Sequence, residues 1–136
     1  MGPDAASPGG GRTPTILVVD DDPDILETLR TFYSYGLVDV RVLTANSGAE
    51  ALAILEVERV DLVVSDYKMP GMTGIELLGR AREMSPGLPT ILVTAFGGVT
   101  LTEQAVGSAG IDRLFRKPLD PDALLAFSRK ALHVGP

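Results

Sequence analysis

Five short apolar runs limit what this chain can fold into: TILVV (15–19), VRVLTA (40–45), DLVVS (61–65), TILVT (90–94) and IDRLF (111–115). Each is rich in Val, Ile and Leu and too short to be a helix of its own, which is the signature of buried strands. Between them the apolar residues change to helical spacing. Ile25, Leu26, Leu29 and Phe32 share a face in the first interval, and Ile75, Leu78 and Ala81 in the third, where Arg82 marks the polar border. Helix starts are written clearly. Asp22-Pro23 and Asp120-Pro121 each place an N-cap before a first-turn proline, and Ser47/Glu50, Thr73/Glu76 and Thr100/Glu103 have capping-box spacing. The interval before the last run, TLTEQAVGSAG, carries Gly107 and Ser108 near its end and offers only a thin apolar face.

Strands alternating with helices predict a parallel sheet, because parallel neighbours need crossovers and those crossovers are helical and right-handed. The fold class is therefore α/β: a doubly wound, five-stranded parallel sheet with five flanking helices. The more polar second and fifth runs suit sheet edges, so the order 2-1-3-4-5, flavodoxin-like, meets the pattern. In such sheets ligands bind outside the carboxyl ends of the strands, where the first and third separate.

Composition narrows the function. The 136 residues make one domain by length, and 12 Lys+Arg against 18 Asp+Glu leave a net charge of -6, which argues against direct nucleic-acid binding. No cysteine is present, so disulfides, thiolate metal sites and cysteine nucleophiles are excluded. No apolar run approaches the length of a membrane span, so a cytoplasmic protein with no membrane contact is expected. Residues 1–14, rich in Pro, Gly and Ser, read as a disordered leader, 15–132 as the folded unit and 133–136 as a short tail. GGGR at 9–12 lacks the Gly-Lys-Ser/Thr ending of a phosphate-cradling loop, and His133 reads as a solvated tail residue.

At the predicted carboxyl ends stand Asp20, Asp21 and Asp22 after the first strand, Asp66 after the third, Thr94 after the fourth and Lys117 after the fifth. Taken singly each has a plain structural reading: an N-cap cluster, a turn residue, a β-branched strand residue, a surface charge. Together they do not. Three carboxylates with no His or Cys make a hard oxygen site, suited to Mg²⁺ or Mn²⁺, and Mg²⁺ seeks phosphate oxygens as further ligands. A hydroxyl and an ammonium from the other side complete a phosphoryl clamp, with Asp66 as the candidate nucleophile.

These residues resemble, in family order, the receiver domain of two-component response regulators. The resemblance runs from residue 15 to about 132 and rests on VVDDD, on DLVVSDYKMPGMTGIELL with Asp66, Met69, Pro70 and Gly74, on ILVTA, and on Lys117-Pro118. It implies a phosphoprotein of a two-component system or phosphorelay, not an enzyme beyond its own phosphorylation and dephosphorylation. Asp66 would be the phosphoacceptor, and Asp20, Asp21, Asp66 and the backbone carbonyl of Lys68 the Mg²⁺ ligands. Thr94 would be the switch hydroxyl, with the Ala95 backbone beside it, and Lys117 the phosphoryl partner. Pro118 would follow a cis peptide, and Gly74, like Gly71, would be structural. The implied partners are a sensor histidine kinase or phosphotransfer protein and an output domain or effector reached through the fourth helix and fifth strand.

Two departures stand out. One residue more than the family's common spacing separates Thr94 from Lys117, and Leu114 stands where the family usually carries the Tyr or Phe whose ring swings inward on activation. Alternation nevertheless turns Phe115 toward the core. Rival readings fit less well. A flavodoxin-like redox protein would set three aspartates against its flavin phosphate, and an aspartyl phosphatase of the haloacid-dehalogenase type places its nucleophile after the first strand. A degenerate receiver acting as a binding module would not keep the full acidic set. Whether the chain is a single-domain regulator, a relay intermediate or part of a longer protein is open in the sequence.

Overall fold

The computed structural model describes residues 12–95 and 110–134. Its elements are β1 (Thr15–Val19), α1 (Pro23–Gly36), β2 (Arg41–Ala45), α2 (Gly48–Val57), β3 (Leu62–Asp66), α3 (Gly74–Met84), β4 (Thr90–Thr94), β5 (Arg113–Arg116) and α4 (Pro121–Leu132). The strands form one sheet of order β2-β1-β3-β4-β5, every pair parallel. The doubly wound α/β architecture and its strand order are as the apolar runs indicate. The additional helix expected in TLTEQAVGSAG lies outside the described residues, as do Thr100 and Glu103.

Strand alternation splits the core into two layers. Leu17, Val19, Val63 and Leu92 face α2 and α3, meeting Ala51, Leu77, Leu78 and Ala81. Ile16, Val18, Val64, Ile91 and Val93 face α1 and α4, meeting Leu26, Leu29, Tyr33 and Leu124. Both faces of the three central strands are thus buried, which is why these runs are continuously apolar.

The helix starts follow their sequence signals. Asp22 accepts from the Asp24 N–H at 2.9 Å and Asp120 from those of Asp122 and Ala123, each ahead of a first-turn proline. Thr73 and Glu76 close a complete capping box on α3. At α2 the box is half made: Ser47 accepts from the Glu50 N–H, but the Glu50 carboxylate reaches back to the N–H of Asn46. The buried face of α1 extends one position past the expected Phe32 to Tyr33, whose hydroxyl lies 2.9 Å from Ser128 Oγ. Since Ser128 spends its proton on the Leu124 carbonyl, Tyr33 donates.

Three strands begin later than their apolar runs, and β3 and β5 do so for one shared reason. Asp61 and Asp112 are clasps. The Asp61 carboxylate accepts the Thr15 N–H at 2.8 Å while the Asp61 N–H donates to the Thr15 carbonyl. Asp112 repeats the arrangement on Thr90 and is bound in turn by Arg82, which also donates to the Gly110 carbonyl at 2.8 Å. Ahead of β1, Arg12 pairs with Asp61 and the Pro14 carbonyl accepts from the Arg41 N–H, so residues 12–14 lie against the amino edge of the sheet.

Candidate functional site

Parallel pairing brings the ends of β1, β3, β4 and β5 to one edge of the sheet. Beyond Val19 the Asp20 N–H still donates to the Ala45 carbonyl at 3.2 Å, which holds Asp20 over the sheet, 4% exposed, with its Oδ1 taking the Asp22 N–H at 2.9 Å. Asp21, next to it, is exposed. Asp66 closes β3 opposite Val93. Thr94 closes β4, fully buried, and its carbonyl accepts the Lys117 N–H at 2.8 Å. That backbone bond sets Lys117 at the same edge, where its Nζ lies 3.6 Å from Asp66 Oδ1. The peptide joining Lys117 to Pro118 is cis.

Carboxylate oxygens of Asp20, Asp21 and Asp66 all come within 4.8 Å of one another, the one such acidic group found among the described residues. Three hard oxygen donors at that separation fit a divalent ion of the Mg²⁺ or Mn²⁺ class. Their electrostatics fit it too. Burial pushes the Asp20 carboxyl up to about 6, and the charges of Asp66 and Asp21 add to this, against the Asp22 N–H and Lys117. Asp66 is also raised, again first by burial and opposed by Lys117. Lys117 offsets the burial of both carboxylates only in part.

The loop after β3 is shaped by two glycines with different tasks. Gly71 holds φ at +84°, in the left-handed region. Gly74, first residue of α3, donates its N–H to the Tyr67 carbonyl, and a Cβ there would sit 2.2 Å from the Asp66 carbonyl oxygen. Ahead of both, Met69 is buried and Lys68 and Pro70 are exposed. Ala95 is exposed beside Thr94. Leu114 turns toward the α2–α3 layer while its neighbour Phe115 is buried in the opposite one, as alternation requires.

One feature had no signal in the sequence. A cavity of about 240 Å³ lies beside the acidic cluster, walled by Ile25, Leu29, Val93 and Leu119 and reaching Asp66 and Lys117. It depends on α1 and the β5–α4 connection meeting in space. A larger hollow of about 750 Å³ sits among Val60, Met84, Leu88 and His133 at the amino ends of the strands, away from the carboxylates.

The profile of the response regulator receiver domain matches residues 16–129. The chain belongs to that family. Among relatives, the receiver is 40% identical over 112 residues to the transcriptional regulatory protein GlrR of Escherichia coli K12, a match covering 80% of this chain and 24% of that protein. A 14.6 kDa protein from the sodA1 3' region of Leptolyngbya boryana is 42% identical over 113 residues, covering 81% of this chain and 83% of its own. The receiver therefore spans about a quarter of the first curated relatives and most of the second kind. Among solved structures, a CheY-like response regulator receiver domain protein from Methanospirillum hungatei superposes with a TM-score of 0.81 at 32% identity, covering 90% of this chain and 95% of that one. No helix among the described residues is long and apolar enough to cross a membrane.

The raised Asp20 carboxyl carries a pH dependence whose sign can be worked out. A carboxyl at about 6 in the folded receiver and near 3.8 when unfolded binds its proton more tightly in the folded state. Its contribution is fully present below pH 3.8 and is lost as pH rises through about 6. A shift of that size corresponds to about 3 kcal/mol. In chelator, thermal melts from pH 4 to 7 should show the wild type losing stability relative to Asp20→Asn by about this amount. Parallel curves for the two proteins would refute the assignment.

Proposed function

We propose that the receiver accepts a phosphoryl group on Asp66 from a histidine of a sensor kinase or phosphotransfer protein, in a reaction that requires Mg²⁺, and passes the change to an output segment or effector. The observation that carries this reading is the convergence of Asp20, Asp21 and Asp66 on one side with the Lys117 ammonium, 3.6 Å from Asp66, on the other. An Asp66 carboxylate oxygen attacks phosphorus, the bond from phosphorus to the donor nitrogen breaks, and an acyl phosphate remains on Asp66. Asp20, Asp21, Asp66 and the Lys68 carbonyl would hold the divalent ion, which supplies positive charge against the phosphoryl oxygens. Lys117 neutralises a further oxygen, and the Thr94 hydroxyl with the Ala95 N–H donates to the group once it is in place.

The output is read on the side of β4 and β5. With Leu114 in place of an aromatic ring, no rotating ring carries the change there. Transcriptional regulation by relatives such as GlrR supports an output segment in this protein's pathway, and a cytoplasmic location agrees with donor kinases that act there. The receiver acts on no substrate besides its own carboxylate.

Incubation with acetyl phosphate tests this without the kinase. With Mg²⁺ the intact mass should rise by one phosphoryl group, and with chelator it should not. Equal uptake in both would remove the metal from the reaction, and no uptake in either, with beryllofluoride also failing to bind, would overturn the proposal.

A further inference from the structure

Ser65 is a hydroxyl in a layer built of hydrocarbon. It is fully buried, its register partners are Val19 on β1 and Leu92 on β4, and alternation sets it on the face shared by Leu17, Val63 and Leu92. An Ala or Val would fill that position with no polar group to satisfy, and a buried hydroxyl weakens packing unless it is bonded. This one is bonded. Its Oγ–H donates to the carbonyl oxygen of Asp66 at 2.9 Å.

The place of that bond gives it a use. In β3 the N–H of Tyr67 faces β4 and donates to the Val93 carbonyl at 2.8 Å, so the Asp66 carbonyl, one residue back, faces β1. There β1 has already ended, at Val19, the partner of Ser65. The peptide that follows the acceptor residue would thus be gripped by the ladder on its N–H side alone. The Ser65 hydroxyl supplies the donor where the β1 ladder stops, and Gly74 closes the other approach, since even a Cβ would come within 2.2 Å of the same oxygen. Both ends of the Asp66–Tyr67 peptide are then fixed, and with them the direction in which the Asp66 side chain leaves the sheet.

We infer that Ser65 is a positioning residue for the chemistry of Asp66: its hydroxyl locks the Asp66–Tyr67 peptide and so holds the carboxylate at the distance from Lys117 and the other aspartates that phosphoryl transfer needs. This rests on the function proposed above. Ser65 touches neither phosphoryl group nor metal; it acts through the backbone of the residue that does.

Two substitutions separate this role from packing, because the two roles order them oppositely. Ser65→Ala removes the donor but suits the apolar layer, two effects that offset each other, so its melting temperature should stay close to that of the wild type. Ser65→Thr keeps the donor and adds a methyl group to a close-packed layer, so its melting temperature should fall. With saturating Mg²⁺ and acetyl phosphate as donor, Ser65→Ala should be phosphorylated about tenfold more slowly, the low end of what supporting contacts cost. Ser65→Thr should recover most of the wild-type rate despite its lower stability. A Ser65→Ala protein as fast as wild type overturns the inference, as does one whose rate falls only together with its melting temperature. If the wild type itself takes up no phosphoryl group, the function proposed above fails first, which the same assay reports separately.

Discussion

Asp66→Asn should take up no phosphoryl group from acetyl phosphate at any Mg²⁺ concentration, and should melt higher than the wild type in chelator. The first result follows from chemistry: an amide oxygen carries no negative charge and does not displace a leaving group from phosphorus under conditions where a carboxylate does. The second follows from the environment of Asp66. Burial holds its carboxyl above the ordinary range even though Lys117 opposes that shift, so at neutral pH the charged form works against folding. Asparagine removes the charge and its repulsion with Asp21 while keeping nearly the same shape. The two effects run in opposite directions, activity lost and stability gained, so misfolding cannot imitate them. Mg²⁺ adds a third reading. Ion at one hundred times its dissociation constant stabilises a folded protein by about 2.7 kcal/mol, and removing one of three carboxylates should shrink that gain. A variant that still gains mass would place the acceptor on another residue, with Asp20 and Asp21 nearest.

Much of this was legible in the chain because the same residues serve fold and site. TILVV and TILVT match β1 and β4 residue for residue, since both are flanked by strands on each side and buried on both faces. DLVVS and IDRLF are offset because Asp61 and Asp112 spend their side chains on the first N–H of a neighbouring strand, a tertiary bond that no local pattern encodes. Tyr33 was missed for a related reason: its helical position is apolar in space, but only Ser128, far along the chain, makes the hydroxyl acceptable there. At the site, Asp20, Asp21, Asp66 and Lys117 could be named because each ends a strand, and strand ends converge in a parallel sheet. The cavity against α1 and the Ser65 bond could not, because one needs the angle of a helix on the sheet and the other the point at which β1 stops. Thr94 and Leu114 sit where alternation puts them, but the segment they would move lies outside the described residues.

Gly74→Ala should be among the most damaging single-methyl changes in the protein. Three glycines offer a comparison. At Gly48 an added Cβ meets Met72, its Sδ at 2.7 Å and its Cβ and Cγ at 3.1 and 3.2 Å, a side chain whose outer atoms can turn aside while its root cannot, so the cost there should be intermediate. At Gly71 nothing lies within 4 Å, and the cost is only that of holding an L-residue at φ +84°, about 1 kcal/mol. At Gly74 the obstacles are the Asp66 carbonyl oxygen at 2.2 Å and its carbon at 3.0 Å, with Leu92 Cδ1 at 2.7 Å behind them. Neither backbone atom can yield without moving β3 or α3. The α3 entry is fixed by the capping box of Thr73 and Glu76 and by the Gly74 N–H on the Tyr67 carbonyl. The last residue of β3 is fixed by the sheet. Overpacking against groups that cannot relax costs up to about 3 kcal/mol, and a chain of this size loses roughly 4 °C of melting temperature per kcal/mol, so a fall of about 10 °C is expected. The relief available is a shift of the Asp66 peptide, which displaces the acceptor carboxylate. Phosphorylation of the Gly74→Ala protein should therefore fall further than that of Gly71→Ala at temperatures where both remain folded by circular dichroism. Equal rates in the two folded variants would mean that the contact at Gly74 supports the fold alone and has no hold on Asp66.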